Sequence, residues 1–437
     1  MPGHDAGGAV AQAHARPIGL VVMLSLALMI NYIDRGSIAT AAPLLVDELA
    51  LTPGEMGWVL AVFYWAYAPM QPVMGWFADR TGPAIVLAGG LALWSVATAA
   101  TGFAFGLASL IVLRLLMGVG EAAFYPSALS LLARNVPPTQ RARATATMQF
   151  GAVIGPALGT LVGGVIMQTY GWRAMFLVMG LLSLTWLAFW RRRLRADRVQ
   201  PGSHRASGVA MTEQPSTGDP PYWMILRQRA LWGGMLGTFC SNYAFYFVFS
   251  WLPLYLFTER GLSITTMTLA TTAFYVADAT SILLAGYLLD TWIKRGASFN
   301  RAYKTALVLS AGGVGLCLLG STMVTGVLAA FALLLLTGVM DGFNSPSNPS
   351  VTQTFAGPLA TGRWMGLQNA VGNVAGMTAP VVTGYLVQQS GHYTSSMIVA
   401  GCVALGGVIA WLVVVPEVRP IDWGAELVRP GRGARHG

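Results

Sequence analysis

The chain has 437 residues, 55% of them hydrophobic and only 10% charged, with a mean hydropathy of +0.59. A soluble domain carries about 25% charged residues, so too few remain here to coat a water-facing surface. The net charge of +9 therefore reads as membrane topology rather than as a nucleic-acid footprint.

The polar stretch from Met1 to Arg16 has no cleavable signal pattern, and the apolar block after it runs into a charged pair, so it reads as a retained first helix. Apolar blocks follow over 17–45, 54–78, 83–101, 106–133, 139–168 and 172–190, then over 229–257, 264–290, 301–321, 324–350, 360–388 and 392–415. Crossing a bilayer core takes roughly 20 helical residues. The pattern predicts an all-α membrane protein with twelve transmembrane helices in two six-helix halves, 1–190 and 229–437. Residues 191–228, which open on an arginine run and continue through Pro201, Gly202 and Pro220-Pro221, form the linker between them.

Orientation follows from the basic residues. With both termini cytoplasmic, all but four of the 26 lysines and arginines fall on the cytoplasmic side. Arg173 and Arg260 lie opposite, and Arg35 and Arg114 lie within helices. The expected location is the inner membrane. Cys240, Cys317 and Cys402 sit in apolar blocks without metal-ligand spacing. The five histidines (His4, His14, His204, His392, His436) fall in tails or loops, leaving no buried imidazole to relay protons.

The halves repeat. Gly75-Trp-Phe-Ala-Asp79-Arg80-Thr-Gly82 ends the second helix, and Gly286 to Asp290, followed by Lys294, Arg295 and Gly296, ends the eighth at an offset of 211 positions. In the fifth helix Gly151, Gly155, Gly159 and Gly163 share one face, suited to close packing, and Pro156 suits a bend. In secondary transporters built from repeats the substrate site lies near the midplane.

Charged residues inside a membrane are costly and mark function by default. Asn31-Tyr32-Ile33-Asp34-Arg35 lies past the middle of the first helix, and adjacent positions point about 100° apart, so Asp34 and Arg35 address different walls. Arg114 and Glu121 share a face of the fourth helix, with Arg114 expected nearer the outer entrance, where water screens it. Two readings stand: a static ion-pair network that locks helices, or a proton site beside an anion site. Desolvation and a nearby arginine act in opposite senses on a buried carboxylate, and the guanidinium fork matches a substrate carboxylate.

The Gly75–Gly82 segment resembles the G-x-x-x-D-R-x-G loop signature of the major facilitator superfamily, in which Gly75 permits close helix approach, Asp79 and Arg80 join a cytoplasmic charge network, and Gly82 closes the motif. The Gly151–Gly163 run resembles the fifth-helix motif of that superfamily. The segments 31–35, Phe63-Tyr-Trp-Ala-Tyr67 through Gln71, and Arg114 to Glu121 resemble its anion:cation symporter family. That resemblance implies proton-coupled symport of a small organic anion, such as a sugar acid, by alternating access. Asp34 and Glu121 are then the proton carriers, and Arg35 is the partner of Glu121 and of the substrate carboxylate. Tyr32, Tyr67, Gln149 and Asn369 line the substrate site, with Arg114 as a second cation. The expected partners are a carboxylate, protons and the lipid bilayer, with the protein a monomer, no nucleic acid, and no cofactor beyond the proton gradient. A drug or metabolite exporter and a non-transporting sensor are the alternatives; an enzyme is not expected, since no phosphate loop, metal cluster or nucleophilic triad is present.

Asp278 and Asp341, deep in helices eight and ten, depart from the sugar-acid pattern. Each is either a paired structural acid (or, for Asp341 before Gly342 with Pro346 and Pro349 nearby, a helix cap at a break), or a determinant of substrate selection or a further proton. The seventh helix is rich in aromatics, from Tyr243 to Tyr255. They serve either packing or stacking on a ring-shaped substrate.

Overall fold

The computed structural model describes residues 5–198 and 220–424; most of the linker and the end of the tail lie outside them. The helices are α1 (Asp5–Glu48), α2 (Pro53–Thr81), α3 (Pro83–Thr101), α4 (Leu107–Glu121), α5 (Phe124–Asn135), α6 (Pro138–Arg198), α7 (Tyr222–Leu226), α8 (Arg229–Thr258), α9 (Ile264–Lys294), α10 (Phe299–Ser321), α11 (Val327–Asp341), α12 (Asn344–Ser390) and α13 (Thr394–Ile409), the last closed by a π-helical turn over Ala410–Val414. Among the described residues no strand occurs, and nine helical segments there are long and apolar enough to cross a membrane.

The twelve expected spans map onto this order once two continuous-looking helices are divided. α6 carries the fifth and sixth spans, broken at Gly171 (φ 80°, ψ 168°), and α12 is broken at Gly357 (φ 60°, ψ −174°). That backbone region is essentially restricted to glycine, so a reversal of helix direction without a polar loop needs glycine at both places. Two expected spans are also interrupted. The fourth breaks at Ala122–Ala123 and the tenth at Gly342–Phe343.

Two compact units emerge, and neither coincides with a sequence half. The first comprises Met1–Gly208, Phe247–Val276 and Met377–Ser396; the second comprises Val209–Tyr246, Ala277–Gly376 and Met397–Gly437.

In the first unit the glycine face of α6 seats α1. A Cβ added at Gly151 would strike Ser25 O; at Gly155 it would come within 2.8 Å of Met29 O and Tyr32 Cβ, and at Gly159 within 3.0 Å of Ile33 Cα. Gly163 instead meets Met175, within α6 itself. Tight contact of small residues is how membrane helices gain dispersion energy without a hydrophobic drive. At the far end of the unit, Gly57 approaches Pro380 O so closely that a Cβ would lie 2.6 Å from it, and Gly54 N donates to Gln388 Oε1 at 3.1 Å. Of the α8 aromatics in this unit, Trp251 and Tyr255 pack their rings against Tyr393 at 5.9 and 5.5 Å.

In the second unit Gln368 is a buried hub. Its Nε2 donates to Thr238 Oγ1 (2.6 Å) and Asn348 Oδ1 (2.7 Å), and its Oε1 accepts from Thr352 Oγ1 (2.6 Å). These bonds tie α8 to both limbs of α12. The break at Gly357 is braced by the chain after α13: Ile421 N donates to Phe355 O and Trp423 Nε1 to Ala356 O, with Trp423 buried against Phe355 and Trp364. Truncating a buried Trp costs about 3–5 kcal/mol. Trp423→Ala is therefore expected to lower the melting temperature of the purified protein by several degrees, read by thermal denaturation in detergent; an unchanged melting curve would show the brace to be dispensable.

Candidate functional site

The Asn31–Arg35 and Arg114–Glu121 segments meet inside the first unit because two glycines let α4 sink between its neighbours. A Cβ at Gly118 would lie 2.5 Å from Phe63 O on α2, and one at Gly120 would lie 2.7 Å from Trp94 N on α3. This wedging delivers Glu121 to Arg35. Nε and Nη2 of Arg35 both donate to Glu121 Oε2, at 3.0 and 2.7 Å, and Nη2 also reaches Asn31 Oδ1 at 3.2 Å. Arg35 is 5% exposed and Glu121 0%. Glu121 Oε1 has no partner in hydrogen-bond geometry, although Asn31 is near enough to interact more weakly.

Aromatic faces enclose the guanidinium of Arg35: the ring centroids of Tyr32, Phe63 and Tyr67 lie 4.9, 4.7 and 4.7 Å from it. Such contacts are worth about 2 kcal/mol or more when desolvated. Phe63 also carries Arg114, 5.0 Å from its centroid, so one ring contacts two cations. Arg114 is not screened by water as expected. It is 4% exposed, and its guanidinium reaches Val59 O at 3.3 Å and Met117 Sδ at 3.4 Å. The close seat of Gly118 on α2, which holds it beside Phe63, leaves no room for solvent there.

Asp34 points to another wall, as adjacent helical positions require. It is 1% exposed, and its Oδ2 accepts from Ser183 Oγ on α6 at 2.9 Å. Of the expected lining residues, Tyr32 and Tyr67 are in the cluster. Gln149 is exposed on α6 and accepts from Tyr125 O–H at 3.1 Å. Asn369 is exposed in the second unit, next to the buried Gln368.

The loop motif takes a different form from the expected charge network. Asp79 makes no ion pair within 4 Å among the described residues, and the guanidinium of Arg80 stacks over the Trp76 ring at 4.1 Å. A Cβ at Gly75 would meet only Pro126 Cβ at an ordinary 3.7 Å, so no close approach depends on it, while Gly82 has φ 101°. Cys240 and Cys317 are buried and Cys402 exposed, all free. His392 is exposed in a turn; His4, His204 and His436, and the side chain of His14, lie outside the described residues.

Asp278 and Asp341 belong to the second unit. α9 crosses the end of α11 where Ser281 Oγ donates to Val339 O at 2.5 Å and a Cβ at Gly342 would lie 2.5 Å from Ser281 Cβ. The two acids flank this crossing and lie within electrostatic reach of one another; Asp278 Oδ1 is buried without a hydrogen-bond partner. Their places are those of the first-half cluster. Phe274-Tyr-Val-Ala-Asp278 repeats Phe63-Tyr-Trp-Ala-Tyr67 at an offset of 211, and Gly338-Val-Met-Asp341 repeats Gly118-Val-Gly-Glu121 at an offset of 220. Asn242-Tyr243 repeats Asn31-Tyr32, but Tyr246 stands where Arg35 would be. The second half thus carries an acid at the Glu121 place and no cation at the Arg35 place. The repeat, read beyond the loop motif, would have found this correspondence in the sequence; Phe63 was likewise signalled by lying one turn before Tyr67.

Comparison with known proteins gives the family. The model of the Major Facilitator Superfamily matches residues 24–356 and, again, 236–432. A D-galactonate transporter of Escherichia coli O6:H1 is 29% identical over 92% of this chain and 96% of its own length. A probable sulfoacetate transporter of Cupriavidus necator is 30% identical over 90% and 93%, and a hexuronate transporter of Bacillus subtilis 29% identical over 92% and 94%. Among solved structures, a bacterial homologue of the lysosomal transporter Spinster superposes with a TM-score of 0.72 at 17% identity over 91% of this chain and 94% of that one. A D-xylose–proton symporter superposes with a TM-score of 0.71 at 15% identity, covering 92% and 98%. These two likenesses concern the fold. The resemblances drawn from the sequence, to the superfamily and to its anion-transporting members, agree with these matches, and the matched proteins are transporters rather than enzymes.

Proposed function

Because the chain belongs to the Major Facilitator Superfamily, we propose that it is a secondary active transporter that carries a small organic anion together with protons. The observation that carries this reading is the buried Arg35–Glu121 pair under three aromatic faces, with Asp34 set apart from it. Arg35 is the anion anchor. Its bonds to Glu121 converge on one carboxylate oxygen, so protonation of Glu121 weakens that hold and frees the fork for a substrate carboxylate or sulfonate. Tyr32 and Tyr67 flank this anchor, and Arg114, which also contacts Phe63, adds positive potential; Gln149 and Asn369 are the further substrate contacts that the family resemblance implies. Asp34 takes a proton without surrendering an ion pair, since it has none among the described residues. The charge-balanced, loaded state then changes its side of access. No cofactor takes part; the proton gradient supplies the work, and the protein acts as a monomer. The substrates named for the matched relatives, all organic anions, support the assignment.

Asp278 and Asp341 select among substrates in this scheme. Two neighbouring carboxyls, with no ion pair among the described residues, relieve their repulsion when one of them is protonated; the protonated acid then offers a donor, and the ionised one an acceptor, to a hydroxyl or amide on the substrate.

Uptake of a panel of labelled sugar acids, dicarboxylates and sulfonates into proteoliposomes, with and without an inward proton gradient, tests the function. Accumulation of none of them, or accumulation indifferent to the gradient, would overturn it. The protein is placed in the inner membrane with both termini and residues 191–228 cytoplasmic, on the bias of its basic residues. A cysteine replacing Ser203 in a background without Cys240, Cys317 and Cys402 should resist membrane-impermeant thiol reagents in intact cells and react after lysis; labelling from outside would reverse the topology.

A further inference from the structure

Ser183 Oγ lies 2.9 Å from Asp34 Oδ2 and also 2.9 Å from Met179 O, the carbonyl one turn earlier in α6. A hydroxyl has one proton to give and lone pairs to receive, so it donates to one of these oxygens at a time. With Asp34 ionised, the hydroxyl donates to Oδ2. With a proton from solvent on Oδ2, the carboxyl O–H donates to Ser183 Oγ, and the hydroxyl turns to Met179 O, the ordinary back-bond of a helical serine. Both forms are satisfied without movement of either helix. The rest of the surroundings lacks this property. Trp94 Nε1 on α3 is within weaker reach and only donates. Glu121 on α4 is the charged group that acts on Asp34 from another helix, and it repels the ionised form. Arg35, next in sequence, is committed to Glu121. Asp34 Oδ1 has no hydrogen-bond partner.

We propose that Ser183 is a positioning residue that holds the Asp34 carboxyl in both protonation states by reversing its own hydrogen bond, so that proton binding on α1 is registered on α6. This rests on the reading of Asp34 as a proton carrier.

The test is infrared difference spectroscopy of the purified, reconstituted protein between acidic and alkaline buffers, which needs no substrate. A carboxylic C=O band that disappears in Asp34→Asn identifies the protonated residue. In Ser183→Ala that band should move to the higher wavenumber of an acid without a hydrogen-bond acceptor, and in Ser183→Thr, which keeps the hydroxyl, it should stay near the wild-type position. Melting curves separate this from loss of fold, since a packing role alone would lower the melting temperature without shifting the band. An Asp34 band unmoved in Ser183→Ala overturns the proposal and leaves the proton site standing. The absence of any Asp34-dependent band overturns both.

Discussion

Arg35→Ala is expected to weaken binding of the transported anion at least about a hundredfold, because it removes two charge-assisted hydrogen bonds worth about 1.5–3 kcal/mol each. Arg35→Lys should recover little of the loss. Lysine keeps the charge but not the planar fork that reaches one oxygen from Nε and Nη2 together, and a compact ammonium fits poorly among three ring faces spaced for a flat cation. Arg114→Ala is the necessary contrast. Arg114 is as buried as Arg35, so the substitution should lower the melting temperature, yet its guanidinium lies against Phe63, Val59 O and Met117 and makes no ion pair within 4 Å among the described residues. Affinity should then fall far less than in Arg35→Ala. Equilibrium binding to the purified variants at one pH, using whichever carboxylate the uptake panel identifies, decides the matter. Wild-type affinity in Arg35→Ala combined with lost affinity in Arg114→Ala would exchange the roles of the two arginines.

The helices were legible because apolar blocks of bilayer length leave few alternatives, whereas the pairing of Arg35 with Glu121 was legible only through the family resemblance carried by residues 31–35 and 114–121. The interruptions were only partly legible: a break beside Asp341 was among the readings, and the one at Ala122–Ala123 was not. The breaks at Ala122–Ala123 and Gly342–Phe343 each precede a proline, Pro126 and Pro346, whose missing N–H would have bonded the carbonyl four residues earlier, that of Ala122 or Gly342. Proline marks the break displaced from where it occurs, and the apolar run continues through it. Arg114 was misplaced because depth counted along one helix says nothing about the neighbour that covers it. Gly118 brings Phe63 onto its flank, a tertiary fact. The mate of Asp34 was hidden for a similar reason: Ser183 sits among ordinary apolar residues of α6, with no charge or motif to single it out.

Asp34→Asn and Glu121→Gln are both expected to abolish accumulation against a gradient, with the membrane potential clamped, while substrate exchange across the membrane persists. They should differ in every other respect, and the difference follows from their partners. Asn at position 34 keeps the shape of the carboxyl and still meets the Ser183 hydroxyl, and no cation loses its counter-ion. Stability and exchange should stay close to wild type. Gln at position 121 leaves the buried guanidinium of Arg35 without its carboxylate, and breaking such a pair costs about 3–5 kcal/mol. The unliganded protein should therefore melt earlier than either wild type or Asp34→Asn. An anionic substrate then supplies the missing charge, so the same variant should bind substrate more tightly than wild type and recover much of its melting temperature when loaded. Thermal melts with and without substrate, beside gradient-driven uptake and exchange in proteoliposomes, give the four readings. Full accumulation in both variants would remove these acids from the coupling path. Loss of exchange together with accumulation in Asp34→Asn would assign Asp34 to the conformational change itself. Glu121→Gln that substrate fails to stabilise would mean that the anion does not take the place of the Glu121 carboxylate on Arg35.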